Sequence, residues 1–257
     1  MDLSVITVTW NAADLIGEQI KSVKSGCKNI SFEEIIVDNA STDNTVELVG
    51  RIGGVKLLKN EKNMGFAFPN NQAAKFATGE FLLFLNPDMR VEDGSLDKIV
   101  AWMRSHPDVG LASCKLVDQY GKLNSSALPR RFPGVGDQLA IIFKLPHLFP
   151  SVVDNYLFKD FNPEVEQEVD SVRGSFMIMP RQVYEKLGWA FDPRYFIWFE
   201  DVDLCREVKK MGLKVVYTPI ISCVDYVGQS FKKMNFFWKQ KQFIRSMMQY
   251  FWKWRNG

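Results

Sequence analysis

An α/β fold, with a mostly parallel central sheet flanked by helices, is expected from this sequence on three grounds. Short runs that are apolar throughout alternate with longer runs whose apolar residues recur at helical spacing. Runs apolar at every position suit strands buried on both faces, as a parallel sheet covered by helices requires. A chain of 257 residues, 46% hydrophobic and 24% charged, can fill one large core, or one domain with an appended segment.

The elements follow in order. LSVITVTW (3–10) is β-branched and apolar and predicts the first strand. Residues 12–26 carry Leu15, Ile20 and Val23 on one helical face, with Gly26 as a stop. EEIIVDN (33–39) predicts the second strand. STDNTVELVGRI (41–52) predicts a helix capped by Ser41 and Thr42, with Asp43 in its first turn. VKLLKN (55–60) predicts a third strand, NNQAAKFATG (70–79) a helix ending at Gly79, and EFLLFLN (80–86) a fourth strand. GSLDKIVAWMRSHP (94–107) predicts a helix that stops before Pro107. Beyond Asp118 the pattern blurs: residues 120–136 are rich in turn formers, and 132–169 are irregular and aromatic. Regular structure returns at SVRGSFMIMP (171–180), RQVYEKLG (181–188), EDVDLCREVKKMG (200–212) and KVVYTP (214–219). The last 27 residues predict a basic, aromatic C-terminal segment, one helix or a helix pair. No internal repeat is present.

Composition excludes several classes. A net charge of +2 gives no reason to expect nucleic acid as a partner. Cys27, Cys114, Cys205 and Cys223 are far apart, with no C-x-x-C pair and no secretory signal, so reduced thiols in the cytoplasm are expected. With only His106 and His147, a His-rich zinc site has no basis. The longest apolar run, 139–149, is broken by Lys144 and Pro146 and is too short to span a bilayer.

The strand ends carry the functional signal. In open parallel sheets, ligands bind outside the carboxyl ends of the strands. Here strand one ends in Thr9-Trp10-Asn11, strand two in Asp38-Asn39, and strand four in Asn86-Pro87-Asp88. One Asp after a strand is ordinary turn chemistry; several polar strand ends on one rim point to a site. No G-x-G-x-x-G, Walker A or G-x-S-x-G motif follows a strand, which disfavours a dinucleotide fold, a P-loop NTPase and a serine hydrolase. A rim carboxylate suits a hard divalent cation, and Mg²⁺ takes one or two protein carboxylates and completes its shell with phosphate and water. A diphosphate ligand is therefore expected.

At this point a resemblance enters. VTWN, IIVDNASTDNT, NEKNMGFAFPNN, GEFLLFLNPDMR, VDSVRGSFMIMPR, FDPRYFIWFEDVDLCREVKKMG and VGQS occur in the order seen in inverting family 2 glycosyltransferases. Over about residues 3–230 the chain resembles their bacterial rhamnosyltransferase-like branch, which implies a GT-A type fold for residues 1–230 and a basic, aromatic extension for 231–257. The resemblance implies that Asp38 bonds a pyrimidine base, with Thr9, Trp10, Asn11, Asn63, Gly65, Asn71 and Asn86 around the nucleotide. It implies that Asp88 is the last carboxylate of the D-x-D metal motif, with Asn86 at its first position. Arg173, Gly174 and Ser175 correspond to the wall facing the donor sugar, with Trp198 nearby. In the Glu200-Asp201 pair, Asp201 corresponds to the general base. Where relatives carry a His before G-x-S, this chain has Asp225, a second metal ligand or a surface residue. Phe68 and Pro69 replace glycines common in relatives, which implies a bulkier donor pocket.

The implied function is transfer of a sugar from a nucleoside diphosphate sugar, dTDP-rhamnose first and UDP-hexoses next, with Mg²⁺ or Mn²⁺. The acceptor would be a glycan or a polyprenyl-diphosphate-linked glycan. Two alternatives stay open: a non-catalytic nucleotide- or glycan-binding partner in an assembly complex, and a nucleotidylyltransferase. The latter lacks a glycine-rich basic loop after strand one. Asp203 is expected to cap its helix or to pair with Arg206 or a nearby Lys. The segment from Lys232 to Arg255 has no acidic residue. It reads either as a helix packed on the body or, as favoured here, as a contact with the anionic inner face of the cell membrane.

Overall fold

The computed structural model describes residues 1–226 and 235–255. The sequence motif VGQS and the expected boundary at 230/231 lie outside the described residues. In chain order the elements are β1 (Leu3–Thr9), α1 (Ala13–Gly26), β2 (Phe32–Asp38), α2 (Thr45–Ile52), β3 (Lys56–Lys59), α3 (Ala67–Ala74), β4 (Phe81–Leu85), β5 (Met89–Val91), α4 (Ser95–Ser105) and β6 (Val109–Val117). Then come α5 (Val135–Ile142), β7 (Gln167–Glu168), β8 (Phe176–Pro180), α6 (Arg181–Leu187), α7 (Glu200–Lys210), β9 (Lys214–Asp225) and α8 (Phe236–Lys253). Short 3₁₀ turns lie between α5 and β7.

One sheet runs in the order β3-β2-β1-β4-β8-β6-β9-β5, with β7 paired to β9. Its first half is parallel, as expected: β1 pairs β2 and β4, and β2 pairs β3. The second half is mixed, because β8 runs antiparallel to β4 and β6, and β5 antiparallel to β9. The all-apolar strands have a direct cause. Along β4, Phe81, Leu83 and Leu85 point into a layer with Leu96, Ile99 and Val100 of α4, while Leu82 and Phe84 point into a layer with Leu204 and Val208 of α7. Each such side chain contributes roughly 1.5–3 kcal/mol by leaving water.

Local departures from the expected elements have physical reasons. Ser41 and Thr42 do not cap α2, which starts at Thr45. Ser41 Oγ accepts from the Asn11 N–H (2.8 Å), and the Thr42 N–H donates to Asn11 Oδ1 (2.7 Å), so this loop is sutured to the β1–α1 turn instead. α3 begins three residues earlier than expected, with Pro69 in its first turn where no N–H is needed. Gly79 is demanded by close approach: a Cβ there would lie 2.5 Å from the Ser4 nitrogen. All four cysteines are free and buried, and no helix among the described residues is long and apolar enough to cross a membrane.

One buried carboxyl gives the fold a pH signature. Glu34 on β2 is 3% exposed and its Oε1 has no hydrogen-bond partner among the described residues. Burial pushes its pKa up to about 8, against a hydrogen bond from Gln19. The folded chain therefore keeps this proton to about pH 8, whereas an exposed Glu releases it near 4.5. Across that window the folded state binds more protons, so stability falls as pH rises, by up to about 1.4 kcal/mol per unit. Urea unfolding at pH 5.5 and 7.5 should show Glu34→Gln losing about 2–3 kcal/mol less than wild type over this interval. Equal losses would assign the proton elsewhere.

Candidate functional site

The site forms where strand ends from both halves of the sheet meet. β1 ends at Thr9, and β4 delivers Asn86-Pro87-Asp88 beyond Leu85. Because β8 runs antiparallel, it starts where β4 stops. Leu85 pairs with Phe176, and the Asn86 N–H donates to the Ser175 carbonyl at 3.0 Å. That reversal brings Arg173-Gly174-Ser175 to the same rim. At the far edge β9 runs antiparallel to β5, with Met89 opposite Asp225 and the Tyr226 N–H bonded to the Asp88 carbonyl (3.0 Å). Asp225 thereby arrives beside Asp88 from 137 positions away in the chain. Arg90 ties this corner down, donating to the carbonyls of Pro87 (3.1 Å), Met89 (2.8 Å) and Leu15 (2.7 Å).

A cavity of about 330 Å³ occupies the rim. Of the residues expected at the site, it is lined by Thr9, Trp10, Asn63, Gly65, Asn86, Asp88, Arg173, Gly174, Ser175, Trp198, Glu200, Asp201 and Asp225. Three others do not line it. Asp38 is 2% exposed and spends its carboxylate on the fold, with Oδ1 accepting from Thr9 Oγ1 (3.2 Å) and Oδ2 from the Ser41 N–H (3.0 Å). The Asn71 side chain bonds to the 190–191 backbone: Oδ1 accepts from Ala190 and Phe191 N–H (2.8 and 3.0 Å), and Nδ2 donates to the Phe191 carbonyl (2.5 Å). Asn11 sits at positive φ and joins the 41–42 loop. Phe68, 43% exposed, and Pro69 also lie outside the cavity, so they do not narrow it as the sequence implied.

Asp88 and Asp225 form the acidic end of the cavity. Asp88 is 6% exposed, and burial, followed by the Asp225 charge, raises its pKa to about 6. Asp225 Oδ2 accepts from Asn124 Nδ2 at 2.9 Å. No cluster of three or more His, Cys, Asp or Glu suited to a metal exists among the described residues. Asp88 and Asp225 are the carboxylates at this end, and a pair of carboxylates would fit Mg²⁺ or Mn²⁺ sharing its shell with phosphate and water. Arg173 supplies a cation in the same cavity. Its Nη2 donates to the Ser126 carbonyl (2.8 Å), and burial, then the nearby Arg130, press its pKa down.

Glu200 and Asp201 open α7, where carboxylates meet the positive end of the helix dipole. They differ in surroundings. Glu200 is 6% exposed, its Oε2 has no hydrogen-bond partner among the described residues, and burial followed by the Asp201 charge raises its pKa well above the usual range. Asp201 is half-buried and accepts from the Gly174 N–H (3.2 Å) and the Val202 N–H (2.8 Å). The turn ahead of them is strained: Trp198 and Phe199 have φ of 66° and 67°. Each such residue costs roughly 1–3 kcal/mol and persists only where its surroundings over-determine it. On one side that support comes from the 65–66 loop, where the Phe66 N–H donates to the Phe196 carbonyl (2.6 Å). Only glycine fits beside it, since Gly65 has φ +83° and a Cβ would fall on the Phe196 carbonyl oxygen.

Asp203 is not part of this constellation. It is fully buried, and its carboxylate accepts from Lys253 Nζ at 2.7 Å and Trp254 Nε1 at 2.8 Å at the chain's end and from the Tyr195 hydroxyl at 3.3 Å, rather than from Arg206. Arg206 instead donates to the Tyr250 hydroxyl (3.2 Å) and stacks on Trp254. The inner face of α8 is therefore packed on the body, with Tyr250 at 0% and Ser246 at 1% exposure, as the body-packed reading of this segment expects. Sequence reading also missed Asn39, Phe66, Ser126, Ala127 and Ile197 in the cavity lining. Asn39 had a signal, a second polar residue at a strand end; Ser126 and Ala127 lie in the stretch that carried no periodicity.

Comparison with known proteins agrees with this architecture. Residues 4–188 match the glycosyl transferase family 2 profile. The O-antigen biosynthesis protein RfbC of Myxococcus xanthus is 31% identical over 84% of this chain, but the chain spans only 16% of that relative's length. An N-acetylglucosaminyl-diphospho-decaprenol L-rhamnosyltransferase of Mycobacterium tuberculosis is 26% identical over 89% of this chain and 77% of its own. Among solved structures, a Pyrobaculum calidifontis mannosyltransferase, in complex with GDP-Man and Mn²⁺, superposes with a TM-score of 0.66 at 22% identity, over 99% of this chain and 64% of that one. The fold is the expected GT-A type, and with the family profile matched over most of its length, the chain belongs to glycosyl transferase family 2.

Proposed function

We propose that the protein transfers a sugar from a nucleoside diphosphate sugar to a hydroxyl of a glycan or polyprenyl-diphosphate-linked acceptor, by direct displacement with inversion. dTDP-rhamnose is the first donor to test and UDP-hexoses the next. The observation that carries this reading is one cavity holding both a diphosphate-competent end, Asp88 with Asp225, and a carboxylate pair in unlike surroundings, Glu200 with Asp201. The Mn²⁺ bound by the mannosyltransferase relative and the lipid-linked acceptor named for the mycobacterial relative support the metal and the acceptor class.

Each residue then has a task. Thr9, Trp10, Asn39, Asn63 and Gly65 form the nucleotide end, and Asp38 acts on it indirectly by holding Thr9. Arg173-Gly174-Ser175 and Trp198 form the wall for the donor sugar. Mg²⁺ or Mn²⁺ bound at Asp88 and Asp225 would neutralise charge on the leaving diphosphate. Asp201, oriented by the Gly174 and Val202 N–H groups, takes the proton of the attacking hydroxyl. Glu200, whose raised pKa favours the protonated form, orients the acceptor as a hydrogen-bond donor.

The membrane contact expected of the tail falls to its outer face, where Phe237, Met248 and Trp252 are 80%, 64% and 70% exposed among Lys241 and Arg245. We infer that this side meets an anionic lipid surface, peripherally.

Two outcomes follow. Asp201→Asn should lower turnover of the accepted donor by about 10²–10⁴-fold while leaving dTDP affinity with Mn²⁺ unchanged, and Asp88→Ala should remove the Mn²⁺-dependent part of that affinity. Near-normal turnover in Asp201→Asn would put the base on another carboxylate. The wild-type chain should also co-sediment with phosphatidylglycerol vesicles and release as salt screens exposed charges beyond about 8–10 Å. Equal binding to neutral vesicles at high salt would contradict the electrostatic part of that contact.

A further inference from the structure

α7 and α8 lie beyond the family match, which ends at residue 188. α8 contributes no residue to the cavity lining, yet it touches each residue of the turn that leads into Glu200-Asp201. Trp238 packs edge-on against Phe196 at 5.6 Å between ring centroids. Ser246 Oγ, 1% exposed, donates to the Ile197 carbonyl at 2.8 Å. Phe243 lies 6.1 Å from the Trp198 ring and 5.5 Å from the Phe199 ring. Tyr250, fully buried, packs on Phe199 at 5.4 Å and clusters with Tyr195.

The end of the same helix grips α7 directly. Lys253 Nζ bridges three carboxylates: Asp203 and Glu207, both on α7, each at 2.7 Å, and Asp192 at 3.0 Å. The Lys253 side chain is 13% exposed and those of Asp203 and Asp192 are 0% and 4% exposed. Trp254 Nε1 adds a 2.8 Å bond to Asp203 Oδ1. One buried ammonium thus ties the first and second turns of α7 to the start of the strained turn. Residues 198 and 199 hold positive φ without being glycine or asparagine, a conformation that needs supports from outside. The 65–66 loop supplies one, and α8 supplies the rest.

We propose that α8 is a brace for the base-bearing turn and that Lys253 is its positioning residue, acting through Asp203 on the placement of Glu200 and Asp201. The inference rests on the glycosyltransferase reading for its kinetic consequence, and on the chain alone for its structural one. A carboxylate misplaced by an ångström costs rate far more than ground-state binding, up to about 10²-fold. Lys253→Met should therefore lower kcat for dTDP-rhamnose turnover by about tenfold or more, with its KM, and the dTDP affinity in Mn²⁺, within about twofold of wild type. Lys253→Arg, which keeps a cation with several donors, should recover most of kcat.

Hydrogen exchange supplies the arm that needs no substrate. In Lys253→Met, residues 195–201 should exchange faster while β1, β2 and β4 keep wild-type rates, and Lys253→Arg should restore protection. Ser246→Ala, a smaller change that removes only the bond to Ile197, should loosen the same residues and covers the case in which Lys253→Met does not fold. Unchanged exchange at 195–201, or a rise shared equally with the sheet, would overturn the brace. A wild-type chain without turnover of any nucleotide sugar would count against the glycosyltransferase reading, and the exchange result would still decide the brace.

Discussion

The Glu200-Asp201 side of the cavity depends on one backbone group, the Phe196 carbonyl. It accepts the Phe66 N–H at 2.6 Å and sits over Gly65, where no side chain fits. Through that contact the loop after β3, which lines the cavity with Asn63 and Gly65, is fixed against the turn before α7, which carries the carboxylate pair. Two positive-φ residues follow at once, and α8 covers them from the other side. The turn is held between two supports far apart in sequence, so its geometry is a tertiary property rather than a local one.

The second dependence is electrostatic. Four carboxylates, Asp88, Asp225, Glu200 and Asp201, line a single cavity together with the cation Arg173. Burying a carboxylate is unfavourable, and more so beside another, and the raised pKa values of Asp88 and Glu200 express the burial first and the neighbouring charge second. The two ends can relieve it differently. At Asp88 and Asp225 a divalent cation can supply the missing charge, whereas at Glu200 a proton can. On the proposed reading the first end takes a diphosphate together with a metal ion, and the second keeps Asp201 as the base.

The parallel half of the sheet was legible because its strands are apolar on both faces, and the polar residues at their ends marked the rim. Less legible was β6, where Gly110 breaks the apolar run; its missing side chain allows α7 to approach, since a Cβ would lie 2.6 Å from Val208. The reversal at β8 leaves no mark in its own sequence, because strand direction is set by what it pairs with. The resemblance puts Asp38 and Asn71 at the nucleotide; that Asp38 also accepts from Thr9 and Ser41, and Asn71 from Ala190 and Phe191, is marked by no pattern in the sequence. The role of Lys253 could not be read, since its partners on α7 lie about fifty residues away and nothing in a basic tail marks one lysine as buried.

On the proposed reading the acceptor hydroxyl displaces the nucleotide directly, which inverts the anomeric carbon, whereas a covalent route through one of the cavity's carboxylates would retain its configuration. The most direct measurement is the anomeric configuration of the product, read by ¹H NMR on the glycoside formed from a nucleotide sugar of known configuration. Single displacement gives the opposite configuration at the transferred carbon. Retained configuration would require a covalent or front-face route and would contradict the roles assigned to Asp201 and to the cavity as a whole.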